Sequence, residues 1–310
     1  MKSPVDCFAK VKKDCFKFIK TEETPTDKFR NKEKLLKSFL IPICFWIAKK
    51  TNKKNPYFIG LAGGQGTGKT TISTILTIIL KKYFKLNVFK VSIDDFYKTR
   101  EERYKLSKKI HPLLLTRGVP GTHDIKMMLD FFKKLKSKNF ESFKIPKFNK
   151  AIDDRYNKNK WYLIKRKPDV IIFEGWCVGA RSESNKTLKR SINSLEKTSD
   201  FKMTWRKYVN QQLKMNYKKL YDQLDCLLYL KANNFKLLQK WRLIQEKKLW
   251  LKYKNKENNH KIMNKKDVIK FMQTYQRITQ NMFRNAPKYC SVLINLNSNH
   301  QIKTTVYKSK

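Results

Sequence analysis

Three features of this 310-residue chain predict an α/β fold of three layers, with helices on both faces of a mainly parallel central sheet. The apolar run Tyr57-Phe58-Ile59-Gly60-Leu61-Ala62 passes through a glycine-rich loop into Ile72, Ile75, Leu76, Ile79, Leu80 and Tyr83 at helical spacing, which reads strand, loop, helix. Further β-branched and apolar runs of strand length follow at Val88–Ile93, Val170–Phe173, Cys226–Leu230 and Val292–Leu296. Two of these runs end in acids, Asp94-Asp95 and Glu174, which places carboxylates at strand ends, where open α/β sheets collect ligands.

The loop Gly63-Gly64-Gln65-Gly66-Thr67-Gly68-Lys69-Thr70 matches in full the pattern Gly, four residues, Gly-Lys and then Ser or Thr. Consecutive backbone N–H groups and the positive end of the following helix make a nest for an anion, and the glycines let the chain wrap closely. Lys69 is expected to reach the β- and γ-phosphates of a nucleotide, with Thr71 completing the binding segment and the Thr70 hydroxyl ligating magnesium. Of only 9 glycines in the chain, five (Gly60, Gly63, Gly64, Gly66 and Gly68) fall in this window. The others form two pairs, Gly118 with Gly121 and Gly175 with Gly179, which marks those segments as the next active-site candidates.

Length favours one domain with insertions, residues 31–310, preceded by a Lys-rich extension over residues 1–30 with little periodicity, expected to be loosely packed. The formal charge of +46 comes from 71 basic residues, only 12 of them Arg, scattered through every segment. That profile reads as solvated lysine faces, with nonspecific polyanion contact as a side effect, rather than a shaped nucleic-acid groove. Six widely spaced cysteines without a C-x-x-C pair suggest neither a zinc site nor a disulfide framework, and a reducing cytoplasm is expected. No signal-peptide core is visible at the N-terminus, and the apolar stretch Leu35–Ala48 is too short to span a bilayer. It reads as a buried helix beside the sheet.

After the second strand, Asp94 is the candidate base that orients an acceptor hydroxyl and takes its proton; Asp95 faces the magnesium shell or merely caps a turn. The Pro- and Gly-punctuated segment from His111 to Asp124, which carries Arg117, His123 and Asp124, resembles a substrate loop, followed by a helix from Ile125 to Leu135. Lys150 and Arg155 lie in a second mixed-charge segment, Ile145–Arg155. Arg is scarce here and its planar fork suits a carboxylate, which singles out Arg117 and Arg155. Glu174, ending a buried strand, would hold magnesium opposite Thr70. The helical pattern from Phe235 to Leu251 and the next from Val268 to Phe283 outline a lid over about 235–285. Arg242 in the first either swings onto the transferring phosphoryl group or sits on a solvent face.

Taken in order, these motifs resemble the D-glycerate 3-kinase family, within the phosphoribulokinase-like, uridine-kinase-like and pantothenate-kinase-like group. The carrying residues are 63–70, Ser92–Tyr97, Arg117–Asp124, Pro146–Arg155, Phe173–Gly179, Trp241-Arg242 and Gln245-Glu246, spread over about residues 35 to 300. The resemblance implies a P-loop kinase fold with a helical lid, ATP with magnesium as donor, and a small hydroxylated acid, D-glycerate, as acceptor. It also implies Asp94 as base and Arg242 as lid arginine. Two alternatives stay open: a kinase of another small metabolite, pantothenate- or uridine-like, and a nucleotide-hydrolysing polyanion-binding protein. Oligomeric state is not legible.

Overall fold

The computed structural model describes residues 2–24, 28–52, 54–253 and 263–308. Its centre is a six-stranded sheet of β1 (Tyr57–Gly63), β2 (Val88–Ser92), β5 (Val170–Gly175), β6 (Cys226–Lys231), β7 (Val292–Leu296) and β8 (Ile302–Tyr307). Among the short strands between β2 and β5, β3 (Phe148–Asn149) and β4 (Asp154–Arg155) form a small antiparallel hairpin outside the sheet, and Phe143–Ile145 pairs antiparallel with Tyr162–Ile164 beside it. The sheet order is β8-β7-β6-β1-β5-β2, with every pairing parallel except that of the edge strand β8 on β7. The polar sequence of β8, Ile302-Lys303-Thr304-Thr305-Val306-Tyr307, carries too little apolar signal to read as a strand; pairing with β7 makes it one.

Alternation along the central strands feeds two cores. Ile59, Leu61, Val170, Ile172, Leu228 and Leu230 face one side, while Phe58, Ala62, Ile171, Phe173, Leu227 and Tyr229 face the other. Strands buried on both faces need helices on both, and the chain supplies them. On the first face lie α1 (Pro4–Glu22), α2 (Ile41–Lys50) and α3 (Lys69–Lys82). The second carries α5 (Ile125–Lys136), after the short α4 (Arg100–Lys109), and α6 (Thr204–Gln212). Two long helices, α7 (Phe235–Tyr253) and α8 (Lys265–Tyr289), run through the stretch for which the sequence suggests a lid, and residues 254–262 between them lie outside the described residues. No helix among the described residues is long and apolar enough to cross a membrane.

Residues 4–22 correct the expectation of a loose extension. Ser3 caps α1 by accepting the Asp6 N–H at 3.1 Å, Pro4 occupies the first turn, and Cys7, Val11, Cys15 and Ile19 are fully buried in the first core. Each of the two aliphatic side chains contributes about 1.5–3 kcal/mol. The stripe was hard to read because half of it is cysteine, set four residues apart among lysines. Tyr83, just past α3, clamps the start of α1 by accepting the Ser3 N–H (2.8 Å) and donating to its carbonyl (3.0 Å).

Candidate active site

β1 delivers the phosphate loop to the N-terminus of α3 at the centre of the sheet's C-terminal edge. Gly66 and Gly68 hold φ of +81° and +83°, a region costly for any residue with a Cβ. The loop is closed by Thr67, whose N–H and hydroxyl both donate to the Gly64 carbonyl, at 3.3 and 2.9 Å. Lys69 folds back over it and donates to the carbonyls of Gly63 (2.8 Å) and Gly64 (3.0 Å). Burial lowers its pKa to about 8 against the raising fields of Glu174 and Asp94, so it is a cation that an arriving anion relieves.

Parallel pairing puts Glu174 of β5 level with Leu61 of β1 and Ser92 of β2. Its carboxylate, 6% exposed, accepts from the Thr70 hydroxyl at 3.1 Å and from the Ser73 hydroxyl at 2.8 Å. Ser73 was missed in the sequence, although its place three residues after Thr70 puts both hydroxyls on one face of α3. A hydroxyl and a carboxylate within hydrogen-bond distance are hard oxygen donors, and they fit a magnesium ion that takes its remaining ligands from phosphate and water. Asp95 is not in this group: its Oδ1 accepts from the Phe148 N–H (3.4 Å), and burial raises its pKa to about 6. It anchors the β3–β4 hairpin instead.

Asp94 opens a 3₁₀ turn after β2, its N–H donating to the Ser92 hydroxyl at 3.2 Å. Its Oδ2 accepts from the Lys150 ammonium at 2.7 Å. Burial alone would raise its pKa; Lys150, with the Tyr97 hydroxyl beside it, outweighs that and holds it at about 2. Tyr97, also missed in the sequence, stacks on His123 with ring centroids 4.4 Å apart. The Nδ1 of His123 is 2.6 Å from the Tyr217 hydroxyl, its Nε2 is buried without a partner, and burial lowers its pKa to about 3, so the ring is neutral.

The remaining substrate candidates divide. Arg117 pairs with Asp153, lies over the Phe148 ring at 5.5 Å, and reaches the Lys150 carbonyl at 3.4 Å. Its loop is set by Gly118, φ +140°, where a Cβ would stand 2.4 Å from the Tyr275 hydroxyl of α8. The Gly118 carbonyl accepts from the Trp176 indole at 3.0 Å. Arg155 and Asp124, by contrast, neutralise each other at 3.2 Å while Arg155 donates to the Tyr97 carbonyl (2.7 Å) and Asp124 caps α5. They brace the site, and a role in holding substrate is not what their contacts provide. Arg242 is turned onto its own helix, paired with Glu246 and 3.3 Å from Gln245. α7 nevertheless touches the loop directly: a Cβ on Gly66 would meet Trp241 Cβ at 2.9 Å and the Arg242 backbone nitrogen at 3.2 Å. Beside this contact an open cleft of about 1610 Å³ runs from Gly66–Gly68 and Thr71 past the stacked rings of Trp241 and His300 to Phe29 and Arg30.

No family model matches the chain. It is 30% identical over 228 residues to an uncharacterized kinase, mug58, of Schizosaccharomyces pombe, the match covering 71% of this chain and 78% of that protein. It is 28% identical over 226 residues to the chloroplastic D-glycerate 3-kinase of Arabidopsis thaliana, covering 67% of this chain and 47% of the plant protein, about half its length. The solved structure of D-glycerate 3-kinase from Cryptococcus neoformans superposes with a TM-score of 0.70 at 24% identity, over 87% of this chain and 97% of that one, a likeness of fold.

Proposed function

We propose that this chain, which belongs to the D-glycerate 3-kinase family of phosphate-loop kinases, transfers the γ-phosphoryl group of ATP to a hydroxyl of D-glycerate, giving 3-phosphoglycerate. The observation that carries the reading is the meeting of Lys69, the Thr70–Glu174 pair and Asp94 at one edge of the sheet, with the Lys150 ammonium on Asp94 and the Arg117 guanidinium at the Lys150 carbonyl. A pure hydrolase has no use for cations gathered at its base; an acid acceptor does.

ATP would lie with its phosphates in the loop and its base and ribose in the cleft beside Trp241 and His300. Thr70 and Glu174 would hold magnesium, which when bound offsets phosphate charge. Asp94 accepts the proton of the acceptor hydroxyl as that oxygen bonds to the γ-phosphorus; the bond from phosphorus to the β,γ-bridging oxygen breaks, and its electron pair leaves with ADP. Neutral His123 and Tyr97 shape the acceptor side. The lid would close by turning Arg242 from Glu246 onto the transferring group. Six free cysteines, all buried, suit a reducing compartment such as the cytoplasm.

The test is ADP release from magnesium-ATP with and without D-glycerate, with pantothenate and uridine alongside. Glycerate-dependent release that drops about 100-fold or more in Asp94→Asn, with nucleotide affinity kept, is the expected result. Release independent of every acceptor would overturn the reading.

A further inference from the structure

Lys150 stands at the tip of the β3–β4 hairpin and occupies the base itself: its ammonium is 2.7 Å from Asp94 Oδ2. A carboxylate whose lone pair already receives a charged donor is poorly placed to take a hydroxyl proton. The contact is nonetheless open to competition, because the Lys150 side chain is 62% exposed. The hairpin tip under it is fixed. Asp153, at φ +56°, is gripped by Arg117 and by fully buried Arg103, which donates to its carbonyl at 2.6 Å and its carboxylate at 3.1 Å. The backbone stays while the ammonium, a point charge on four flexible methylenes, can change partner.

We propose that Lys150 masks Asp94 until the acceptor's own carboxylate takes over the lysine, so that the acid group of the acceptor is what frees the base. This rests on the phosphotransferase reading above. The exchange runs in the acceptor's favour because an arriving carboxylate meets at the tip both Lys150 and a further positive charge, the surplus of Arg103 and Arg117 over the Asp153 they share, with the Arg117 guanidinium 3.4 Å from the Lys150 carbonyl, whereas of these cations Asp94 accepts from Lys150 alone. Freed, Asp94 takes the hydroxyl proton as the new O–P bond forms and ADP departs with the electrons of the broken one. Water entering without an acid acceptor finds the base still paired, which suppresses wasteful hydrolysis. Lys150 is therefore both the binding group for the acid and the selector against neutral polyols of the same size.

Lys150→Met and Lys150→Arg would be compared with wild type for transfer to glycerate, transfer to glycerol, and acceptor-free ATP hydrolysis. Lys147→Met serves as control: it removes a charge from the same segment, where that lysine lies over the Tyr156 and Tyr162 rings, and leaves all three rates unchanged. In Lys150→Met the preference for glycerate over glycerol falls about 10- to 100-fold, chiefly through KM for glycerate, and acceptor-free hydrolysis rises several-fold. Lys150→Arg restores much of the preference. Wild-type preference and hydrolysis in Lys150→Met overturn the proposal, and so does a fall in preference with no rise in hydrolysis, which leaves Lys150 a plain carboxylate ligand. If wild type ignores glycerate, the acceptor reading fails by itself, and hydrolysis in Lys150→Met still decides the masking: a rise supports it and no rise overturns it.

Discussion

Replacing Glu174 by Gln separates what its carboxylate does for the fold from what it does for the reaction. The side chain is 6% exposed, so its charge is held at a desolvation cost of several kcal/mol, offset by the Thr70 and Ser73 hydroxyls and the field of Lys69. Each charge-assisted hydrogen bond contributes about 1.5–3 kcal/mol. Gln keeps an acceptor for one hydroxyl and gains an amide donor for the oxygen of the other, while the buried charge disappears. The losses and gains nearly cancel, and the unfolding free energy should change by no more than about 1 kcal/mol in either direction. Activity should not be spared. Without the negative oxygen opposite Thr70, the magnesium concentration for half-maximal activity should rise about 10- to 100-fold. Urea unfolding monitored by circular dichroism gives the first quantity, and ADP release over a magnesium titration the second. A variant that loses more than about 3 kcal/mol of stability while keeping the wild-type magnesium dependence would make Glu174 a structural residue and not a magnesium ligand.

Two further perturbations test neighbouring parts of the site. Gly66→Ala puts a Cβ into a left-handed conformation, at about 1–2 kcal/mol, and 2.9 Å from Trp241 Cβ, which cannot swing aside without moving α7. ATP affinity measured by titration calorimetry should fall about tenfold or more, and further than in Gly64→Ala, where the new methyl meets only the Leu238 side-chain end at 2.3 Å; the reverse order would show that α7 does not press on the loop. His123 is buried neutral with a pKa near 3, below that of a histidine in the unfolded chain, so the unfolded state takes up the proton first. Stability is therefore full above about pH 6.5 and falls on acidification by up to about 1.4 kcal/mol per pH unit on account of this ring, until the folded form protonates. Unfolding free energies at several pH values should show a shallower acid limb in His123→Asn, and parallel limbs would disprove the assignment.

The features legible before folding are those a short contiguous stretch can encode. Residues 63–70 specify a loop whose function lies in its own backbone N–H groups, and the runs before Asp94 and Glu174 are continuous because strands buried on both faces must be. Strand positions and the carboxylates at their ends followed from those local signals, as did the helix after the loop. How the charges pair is fixed only in the folded chain. Arg155 and Asp124 look in the sequence like two ligands and are in fact each other's partner across 31 positions; Arg117 is shared with Asp153 across 36, and Asp94 with Lys150 across 56. Residue type says that an arginine suits a carboxylate, but which carboxylate depends on where distant loops land on the sheet. The same holds for α1, whose four buried residues carry too little apolar area to announce a helix and become a stripe only against the face of α3. A motif is legible when its chemistry is local; an ion pair is settled by the fold, because its free energy depends on distance and burial that no single segment contains.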